Sequence, residues 1–560
     1  MKLSYIHHNC LRQWWQQVVG VPRRPLLWVT LVGLSVMSVI DLVYSHIVTS
    51  DAERVSFLVV AMCKASVLYY VCLAVKPHKA LRRICTALIV LLGVLSLANL
   101  VGAATYGIGI SRRLIAVVAE TNGRETMEFL PQFIATLPSA VASRYVVTTV
   151  ALCCVAGALA WLLPKRAFSV MVALWLAMGL VVCGAYSTRQ RAWGKLNLSL
   201  FARVVSHGVG YCKEMAKLDE LMAHRKPFPD AGKVHSEQRC NVVMVIGESA
   251  LREHHSLYGY PLRTTPHLDA MAADSLCVFT NVIGSSQSTN DNLTRILTFR
   301  RDCDFDEWYN HPSIVEMFKI AGYRTFWLSN QEKTGGNCSA AIAGTADVVN
   351  YVGTYSYNDN LSYGYDERLL APFARAMASG YRHKLVMCHL LGSHVQYRLR
   401  FPSSMAHFTA DTVMRRLPRP YLTREKAQTV ADYDNSIRYT DSILAQMIGI
   451  VSKVSTPTVL IYFSDHGEMV YDGKDFNGRC RESVTVPMVA YANGPFRARY
   501  PQMMRAFAAA RHLPLSSANM VYALMTLTGT SYPLYDATRD FLSPRFVKRP
   551  RYVDESRWDK

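Results

Sequence analysis

The sequence is poor in acidic residues and lacks the short cysteine motifs of redox and zinc-finger proteins. Its 560 residues include 61 Lys and Arg but only 41 Asp and Glu, which gives a formal net charge of +20. It has 14 cysteines, yet those after residue 200 form no Cys-x-x-Cys pair and no Cys/His zinc spacing. No internal repeat and no low-complexity tract occurs. These absences exclude a thioredoxin-like motif, a zinc finger and a repeat architecture.

Long apolar runs fill the first third of the chain. Each is near or above the roughly 18 to 20 residues that cross a hydrocarbon core. They are residues 26–46, 55–75, 84–106, 145–163 and 167–186. A cleavable signal peptide is the alternative for the first run, but four similar runs follow it. The sequence therefore predicts a five-span α-helical membrane domain over residues 1–190, with a longer external loop at 107–144.

Basic residues accumulate in three of the short connections. They stand before the first run, between the second and third, and between the fourth and fifth: Lys2, Arg12, Arg23, Arg24, Lys76, Lys79, Arg82, Arg83, Lys165 and Arg166. Cytoplasmic loops are enriched in such residues, so these connections are predicted to lie inside. An odd number of spans then puts the rest of the chain outside. We expect a multi-pass membrane protein with a cytoplasmic amino terminus and an external carboxyl-terminal domain, which in a bacterium would lie in the periplasm.

The basic surplus is shared between these connections and the external part. Such a spread argues against nucleic-acid binding and favours anionic membrane lipid as a partner. A solvated basic surface without a specific ligand is the alternative. The seven external cysteines would lie in an oxidising compartment, where up to three disulfides can form with one thiol left over.

Residues 191–238 join the two parts. Apolar residues at helical spacing, among them Leu200, Val204 and Val205, predict an interfacial bridging helix on the membrane surface. An ordinary packed connector is an equally good interpretation. The prolines and charges of residues 225–238 indicate a linker.

From Asn241 onward, short apolar runs alternate with helical stretches. The strand candidates are residues 242–246, 278–283, 324–329, 385–391, 458–463 and 486–491. The clearest helix candidates are residues 313–321 and 426–451. This alternation predicts that residues 239–560 form an α/β domain with a mostly parallel sheet and helices on both faces.

Carboxylates and an imidazole follow two of these strand candidates. Glu248 comes after one, and Asp465 and His466 come after another. Because open α/β sheets gather their sites at the carboxyl ends of strands, we expect these side chains to meet. Zinc accepts carboxylate oxygen and imidazole nitrogen, and Gly467 permits the sharp turn that two adjacent ligands need.

A hydroxyl-rich segment, residues 284–293, follows a further strand candidate and precedes a helical run. A hydroxyl at a helix N-terminus can act as a nucleophile on a phosphate that the backbone N–H groups face. The alternative is that these Ser and Thr residues only cap the helix.

Five motifs resemble, in order and spacing, the bacterial phosphoethanolamine transferases of the alkaline phosphatase and sulfatase superfamily. They are VVMVIGESALREHHSLYGYPLRTTPHLD, GYRTFWLSNQ, HLLGSHVQY, YDNSIRYTD and YFSDHGE. The resemblance implies a sulfatase/alkaline-phosphatase-like fold and a zinc ion held by Glu248, Asp465, His466 and the nucleophile Thr289. Ser286 and Ser288 are the alternative nucleophiles.

The same resemblance implies the substrate contacts. His394 would contact the transferred phosphoryl group and protonate the departing alkoxide. A loop histidine satisfied by its own contacts is the alternative. The loop residues of the ETNxxE stretch and one weaker match would bind the lipid substrate: Glu120, Thr121, Asn122, Glu125 and Asn330. The alternative is that the four loop residues are ordinary polar residues of a surface loop and that Asn330 only satisfies the backbone of a turn.

The chain departs from the family pattern in one place. Family members commonly carry another histidine shortly before the strand that begins at Val486, whereas this chain has none between His466 and His512. Arg479, Arg481 or Glu482 are the candidates to replace it. The sulfatase sequence CxPxR is also absent around the external cysteines, which disfavours sulfate-ester hydrolysis.

The expected activity is a two-step transfer of phosphoethanolamine from phosphatidylethanolamine to lipopolysaccharide, in its core or lipid A, through an ester on Thr289. Resistance to cationic antimicrobial peptides would follow. We expect a monomer. The alternatives are transfer to periplasmic glucan or another glycolipid, a metal-dependent phosphodiester hydrolase, and a noncatalytic membrane protein that retains the fold.

Overall fold

The computed structural model describes residues 233–559, apart from 273–274, 305–307, 332–337, 354–363, 475–476 and 555, and isolated helical positions before them. The chain divides into two compact units, Met1–Lys217 and Leu218–Lys560. The five predicted spans and the 107–144 loop lie outside the described residues, apart from a few single positions. None of the described helices is long and apolar enough to cross a membrane. The predicted boundaries at 190 and 238 stay predictions.

The carboxyl-terminal unit mixes strands and helices along the chain. The strands are β1 His235–Ser236, β2 Asn241–Gly247, β3 Leu276–Phe279, β4 Val282–Ile283, β5 Arg324–Ser329, β6 Val348–Tyr351, β7 Lys384–His389, β8 Thr458–Ser464, β9 Met469–Val470, β10 Asn477–Gly478, β11 Met488–Ala492, β12 Leu515–Ser516, β13 Thr530–Ser531, β14 Tyr552–Val553 and β15 Ser556–Arg557. The α-helices are α1 Pro266–Met271, α2 Thr289–Ile296, α3 Ile314–Ile320, α4 Cys338–Ala343, α5 Leu370–Ala378, α6 Ala410–Arg416, α7 Arg424–Ser452, α8 Gly494–Arg499, α9 Pro501–Ala510 and α10 Met520–Thr528. Short 3₁₀ turns are Arg252–His254, Ser256–Tyr258, Trp308–Asn310, Asp366–Leu369, Tyr397–Leu399, Ser403–Met405, Arg481–Val484 and Ser517–Asn519.

A seven-stranded sheet with the order β3-β11-β8-β2-β7-β5-β6 forms the centre of this unit. The pairs from β8 to β6 are parallel. Strand β11 runs antiparallel to both β3 and β8, so the sheet is mixed. The predicted α/β class is confirmed, and the mostly parallel sheet that we expected carries one reversed strand.

Both faces of the sheet are covered. Val243 and Val245 of β2 pack in one core cluster with side chains of α5 and α7. Val242, Met244 and Ile246 alternate with them on the same strand and are equally buried. Because successive strand residues point to opposite faces, burial on both sides explains the continuous apolar run of β2.

Two strands differ from their predicted bounds for local reasons. The run 278–283 is split into β3 and β4, and β4 leaves the central sheet to pair with β12. Strand β11 begins after Pro487, which has no N–H to donate to a ladder. Strand β6 was missed from sequence because it is short and only partly buried.

The described cysteines are free thiols, so the disulfides that the sequence permitted do not form among them. Cys388 lies in β7 and Cys240 immediately before β2, both fully buried within the sheet. Burial raises the pKa of both thiols. They behave as small apolar core residues.

Candidate active site

The ends of β2 and β8 bring the first two predicted ligands together. The strands are parallel neighbours with Gly247 opposite Ser464, so Glu248 and Asp465 follow at the same edge. The N–H of Asp465 donates to the Gly247 carbonyl at 3.2 Å, and the N–H of Ser249 donates to Asp465 Oδ1 at 3.1 Å. These crossed bonds fix the two carboxylates relative to each other.

Close packing explains the glycine after His466. A Cβ at Gly467 would lie 2.8 Å from the Leu251 Cα and 2.9 Å from the Ser483 carbonyl oxygen. Any larger residue would push the turn after His466 away from Leu251 and Ser483. The glycine that the sequence analysis assigned to a sharp turn is thus required here by close packing.

Glu248, Asp465 and His466 form a group whose ligand atoms all lie within 4.8 Å of one another. The Nε2 atom of His466 lies 3.3 Å from Glu248 Oε1 and 3.4 Å from Asp465 Oδ2. Its other ring nitrogen, Nδ1, lies 2.8 Å from the carbonyl oxygen of Gly467. Donation from Nδ1–H to that carbonyl leaves the Nε2 lone pair facing the two carboxylates, the usual arrangement of a metal-binding histidine.

The charge of this group calls for a cation. Asp465 Oδ2 is buried and has no hydrogen-bond partner among the described residues. Burial and the negative charge of Glu248 raise the pKa of Asp465 to about 6. Burial also opposes ionisation of Glu248, but when His466 is protonated at both ring nitrogens, its hydrogen bond and charge outweigh that effect and lower the pKa of the Glu248 carboxyl. A divalent ion would satisfy the orphaned oxygen and both carboxylates, so the donor set fits zinc.

Thr289 is the first residue of α2, and its hydroxyl faces this group. Oγ1 lies 3.3 Å and 3.2 Å from the two carboxylate oxygens of Glu248 and 3.3 Å from His466 Nε2. The N-cap is the preceding residue, Ser288, whose side chain makes no capping bond. Thr289 is therefore placed among the predicted ligands rather than at the cap position of its helix.

His394 lies on the loop after β7, close to the backbone of Glu248. The N–H of Ser393 donates to the Glu248 carbonyl at 2.9 Å. Gly392 has φ +53°, and a Cβ there would lie 2.8 Å from the Glu248 nitrogen. Burial, with the charges of Arg400 and Arg479, lowers the pKa of the half-buried His394 to about 3 against the opposing charge of Glu248. The imidazole is therefore neutral before substrate binds.

The remaining predicted site residues are placed differently. Asn330 is 1 % exposed, and its amide nitrogen donates to the Gly364 carbonyl and to Asp366 Oδ1, each at 2.8 Å. It stabilises a buried turn, and its contact with substrate stays a prediction. The four residues of the loop stretch lie outside the described residues: Glu120, Thr121, Asn122 and Glu125.

Of the three candidates to replace the absent histidine, Arg479 is the one whose charge reaches the group. Its Nη1 lies 3.3 Å from the carbonyl oxygen of Gln287, two positions before Thr289. Its charge lowers the pKa values of Glu248 and His394. Sequence reasoning could not choose it, because only the fold brings Arg479 beside the loop that leads to Thr289.

The other two candidates are engaged elsewhere. The guanidinium of Arg481 donates to the carbonyls of Arg557 and Trp558 and lies 5.0 Å from the Trp558 ring centroid. Glu482 accepts a hydrogen bond from Cys480 Sγ at 3.0 Å.

Comparison with known proteins identifies the family. The model of the Sulfatase family matches residues 240–530. The phosphoethanolamine transferase EptC of Escherichia coli K12 is 30% identical over 499 residues, which cover 85% of each chain. The chain belongs to the phosphoethanolamine transferase family. The resemblance noted in the five sequence motifs is thereby confirmed.

Solved structures of family members share the fold. The periplasmic domain of E. coli EptC, crystallised in complex with Zn, is 32% identical with a TM-score of 0.54 and covers 58% of this chain and 94% of that one. The integral membrane protein lipooligosaccharide phosphoethanolamine transferase A of Neisseria meningitidis is 19% identical with a TM-score of 0.63 and covers 93% and 99%. At that identity the second likeness concerns the fold alone.

Proposed function

We propose that this protein is a zinc-dependent enzyme of the bacterial inner membrane that transfers phosphoethanolamine from phosphatidylethanolamine to lipopolysaccharide. The transfer proceeds through a covalent ester on Thr289. The observation that carries the proposal is the Thr289 hydroxyl, which lies 3.2 to 3.3 Å from Glu248 and His466. A hydroxyl within reach of a metal-binding group at a helix N-terminus suits attack on a phosphodiester.

Glu248, Asp465 and His466 would hold the zinc ion, with Thr289 beside it. The donor set of the described residues and the Zn-containing domain of E. coli EptC support this assignment. When bound, zinc supplies positive charge that favours loss of a proton from a neighbouring hydroxyl.

In the first half-reaction, the Thr289 hydroxyl gives its proton to water and its Oγ1 bonds to the phosphorus of phosphatidylethanolamine. The bond from phosphorus to the diacylglycerol oxygen breaks, and diacylglycerol leaves as an alcohol. The negative phosphodiester raises the pKa of the nearby neutral imidazole of His394, which then takes up a proton and delivers it to the departing oxygen.

In the second half-reaction, a hydroxyl or phosphate oxygen of the acceptor loses any proton it carries to water and attacks the same phosphorus. The bond from phosphorus to Thr289 Oγ1 breaks, and Oγ1 takes up a proton from water to restore the hydroxyl. Arg479 faces the site and is suited to bind the anionic group during both steps. Glu120, Thr121, Asn122 and Glu125 would hold the lipid substrate and its ammonium. Adding ammonium groups to an anionic surface would weaken its attraction for cationic peptides.

Intact-protein mass spectrometry on membrane-purified material tests the donor step. The wild-type protein should carry a phosphoethanolamine adduct that is lost in Thr289→Ala. Ser288→Ala is the matched control, because the neighbouring Ser288 side chain makes no capping bond, and it should keep the adduct. An adduct that survives in Thr289→Ala would overturn the assignment of the nucleophile.

Labelled phosphatidylethanolamine tests the acceptor. Label in lipopolysaccharide is the expected result. Label found in periplasmic glucan or another glycolipid would reassign the acceptor, and label found only in free phosphoethanolamine would show a hydrolase.

A further inference from the structure

The carboxyl-terminal hairpin β14–β15 packs against the segment that leads to Thr289. Its residues Val553 and Trp558 share an apolar cluster with Ile283 of β4 and Val484. The hairpin is closed by its own contacts, since the Trp558 N–H donates to the Arg551 carbonyl at 2.7 Å. A compact hairpin therefore lies directly beside the loop before α2.

Asp554, at the turn of this hairpin, makes three hydrogen bonds to three successive residues of that loop. Its N–H donates to the Ser285 carbonyl at 3.0 Å. Its Oδ1 accepts from Ser286 Oγ at 2.7 Å, and its Oδ2 accepts from Gln287 Nε2 at 3.0 Å. The backbone N–H and the carboxylate of Asp554 thus together fix the three positions that precede the cap of α2.

These bonds continue into the helix that carries Thr289. The Ser286 hydroxyl donates to Asp554, and its oxygen also accepts the N–H of Ser288 at 3.2 Å. The backbone N–H of Ser286 donates to Asn292 Oδ1 at 3.0 Å, inside α2. The loop is therefore tied to the hairpin at one end and to its own helix at the other.

The backbone of Asp554 supports a dedicated role. Its φ is +47°, in the left-handed region that residues other than Gly, Asn and Asp rarely adopt. Asp tolerates this backbone conformation and also supplies the carboxylate, which a glycine would lack.

We infer that Asp554 is a positioning residue, which orients the loop 285–288 so that the Thr289 hydroxyl points at Glu248 and His466. The inference rests on the proposed function, since it gives Asp554 a part in forming the ester on Thr289. Asp554 does not touch the reacting atoms.

The test is the rate of phosphoethanolamine adduct formation by the full-length protein, followed by intact mass against donor concentration. Asp554→Ala should slow adduct formation at saturating donor by about ten- to a hundredfold, the size expected for a small misplacement of a reacting group. The donor concentration for half-maximal rate should stay within about twofold, because the hairpin does not bind donor.

Asp554→Asn provides the conservative rescue. Asn tolerates the left-handed backbone, and its carbonyl oxygen can still accept from Ser286, while the bond to Gln287 is lost. Its rate should lie between those of the wild type and Asp554→Ala. Arg557→Ala, an exposed position on the same hairpin, should match the wild type.

Loop-side variants keep the inference testable if Asp554→Ala does not fold. Ser286→Ala removes the partner of Asp554 and should reproduce the slow rate. Added to Asp554→Asn, it should remove the bond that the Asn keeps, so the double variant should be no faster than Ser286→Ala alone. Unchanged rates in Asp554→Ala or Ser286→Ala, or equal slowing in Arg557→Ala, would overturn the inference. A wild-type protein that forms no adduct would overturn the proposed function, and with it this inference.

Discussion

Thr289 is distinguished from the other hydroxyls of its loop by what surrounds its oxygen. Ser285 Oγ pairs with Ser516 Oγ at 3.0 Å, and Ser286 Oγ donates to Asp554 at 2.7 Å. The sequence left Ser286 as an alternative nucleophile because hydroxyls two or three positions apart look alike. The surroundings of each oxygen favour Thr289.

Arg479→Ala should lower kcat/KM for the phosphatidylethanolamine donor by about tenfold or more, because the substrate phosphate would lose one charge-assisted hydrogen bond. Such a bond contributes about 1.5 to 3 kcal/mol. Arg479→Lys should recover part of the loss through its charge. The measurement is adduct formation against donor concentration.

Removing Arg479 should also raise the pKa of His394, since the arginine charge is one of the causes that lower it. The limb of the kcat/KM profile that falls as pH rises reports a group that must be protonated, so this limb should move to higher pH. Arg481→Lys, which changes a guanidinium engaged with Trp558, is the matched control. Equal losses in Arg479→Ala and Arg481→Lys would contradict a direct contact with substrate.

His254 joins three segments around the site. Its Nδ1 lies 2.6 Å from Asp434 of α7, and its Nε2 lies 2.9 Å from Asp472, which precedes β10. Tyr260 donates to Asp434, and Arg419 donates to Asp472. Asp472 also accepts the N–H of Val470 in β9, which pairs with β10, so the network holds the connection between these two strands.

The His254 network should make the stability of the folded domain fall as the pH becomes alkaline. Burial disfavours the cation, but the charges of Asp472 and Asp434 outweigh it and raise the pKa of His254 from 6.5 to about 10. A raised folded-state pKa gives stability that is fully present below pH 6.5 and is lost as pH rises through about 10.

His254→Asn should therefore lower the midpoint of thermal unfolding and flatten its fall between pH 6.5 and about 10. Thermal unfolding across that range measures both effects. His235→Asn, at an exposed histidine in β1, should leave the profile of the wild type unchanged. A variant at His254 that retains the full alkaline decline would refute the assignment.

The predicted metal site links segments from distant parts of the chain. Glu248 follows β2, while Asp465 and His466 follow β8. An ion that binds all three only in the folded state must stabilise the whole domain.

Zinc removal by a chelator should lower the thermal midpoint by several degrees, and added zinc should restore it. Asp465→Asn should lose most of this response. Asp411→Asn, a surface carboxylate paired with Arg424, should keep it. A full zinc response in Asp465→Asn would show that the ion binds elsewhere.

Local patterns were enough to predict several elements and the ligands that follow them. Strand β5 has the predicted bounds, and β2 and β8 differ from theirs by a residue or two. The reason is that a fully buried strand needs a continuous apolar run, and a polar residue directly after it marks its end. The family motifs added the choice of Thr289 and His394.

Contacts between distant segments were decided only in three dimensions. Asp554 lies 268 positions from Ser286, and His254 lies 218 positions from Asp472. The sequence around these residues does not indicate either contact, because an Asp in a polar segment gives the same local pattern whether it is exposed or buried. The choice of Arg479 over Arg481 has the same origin. Which strand ends and hairpins meet is set by the packing of the whole domain, and the chemistry of the site depends on that packing.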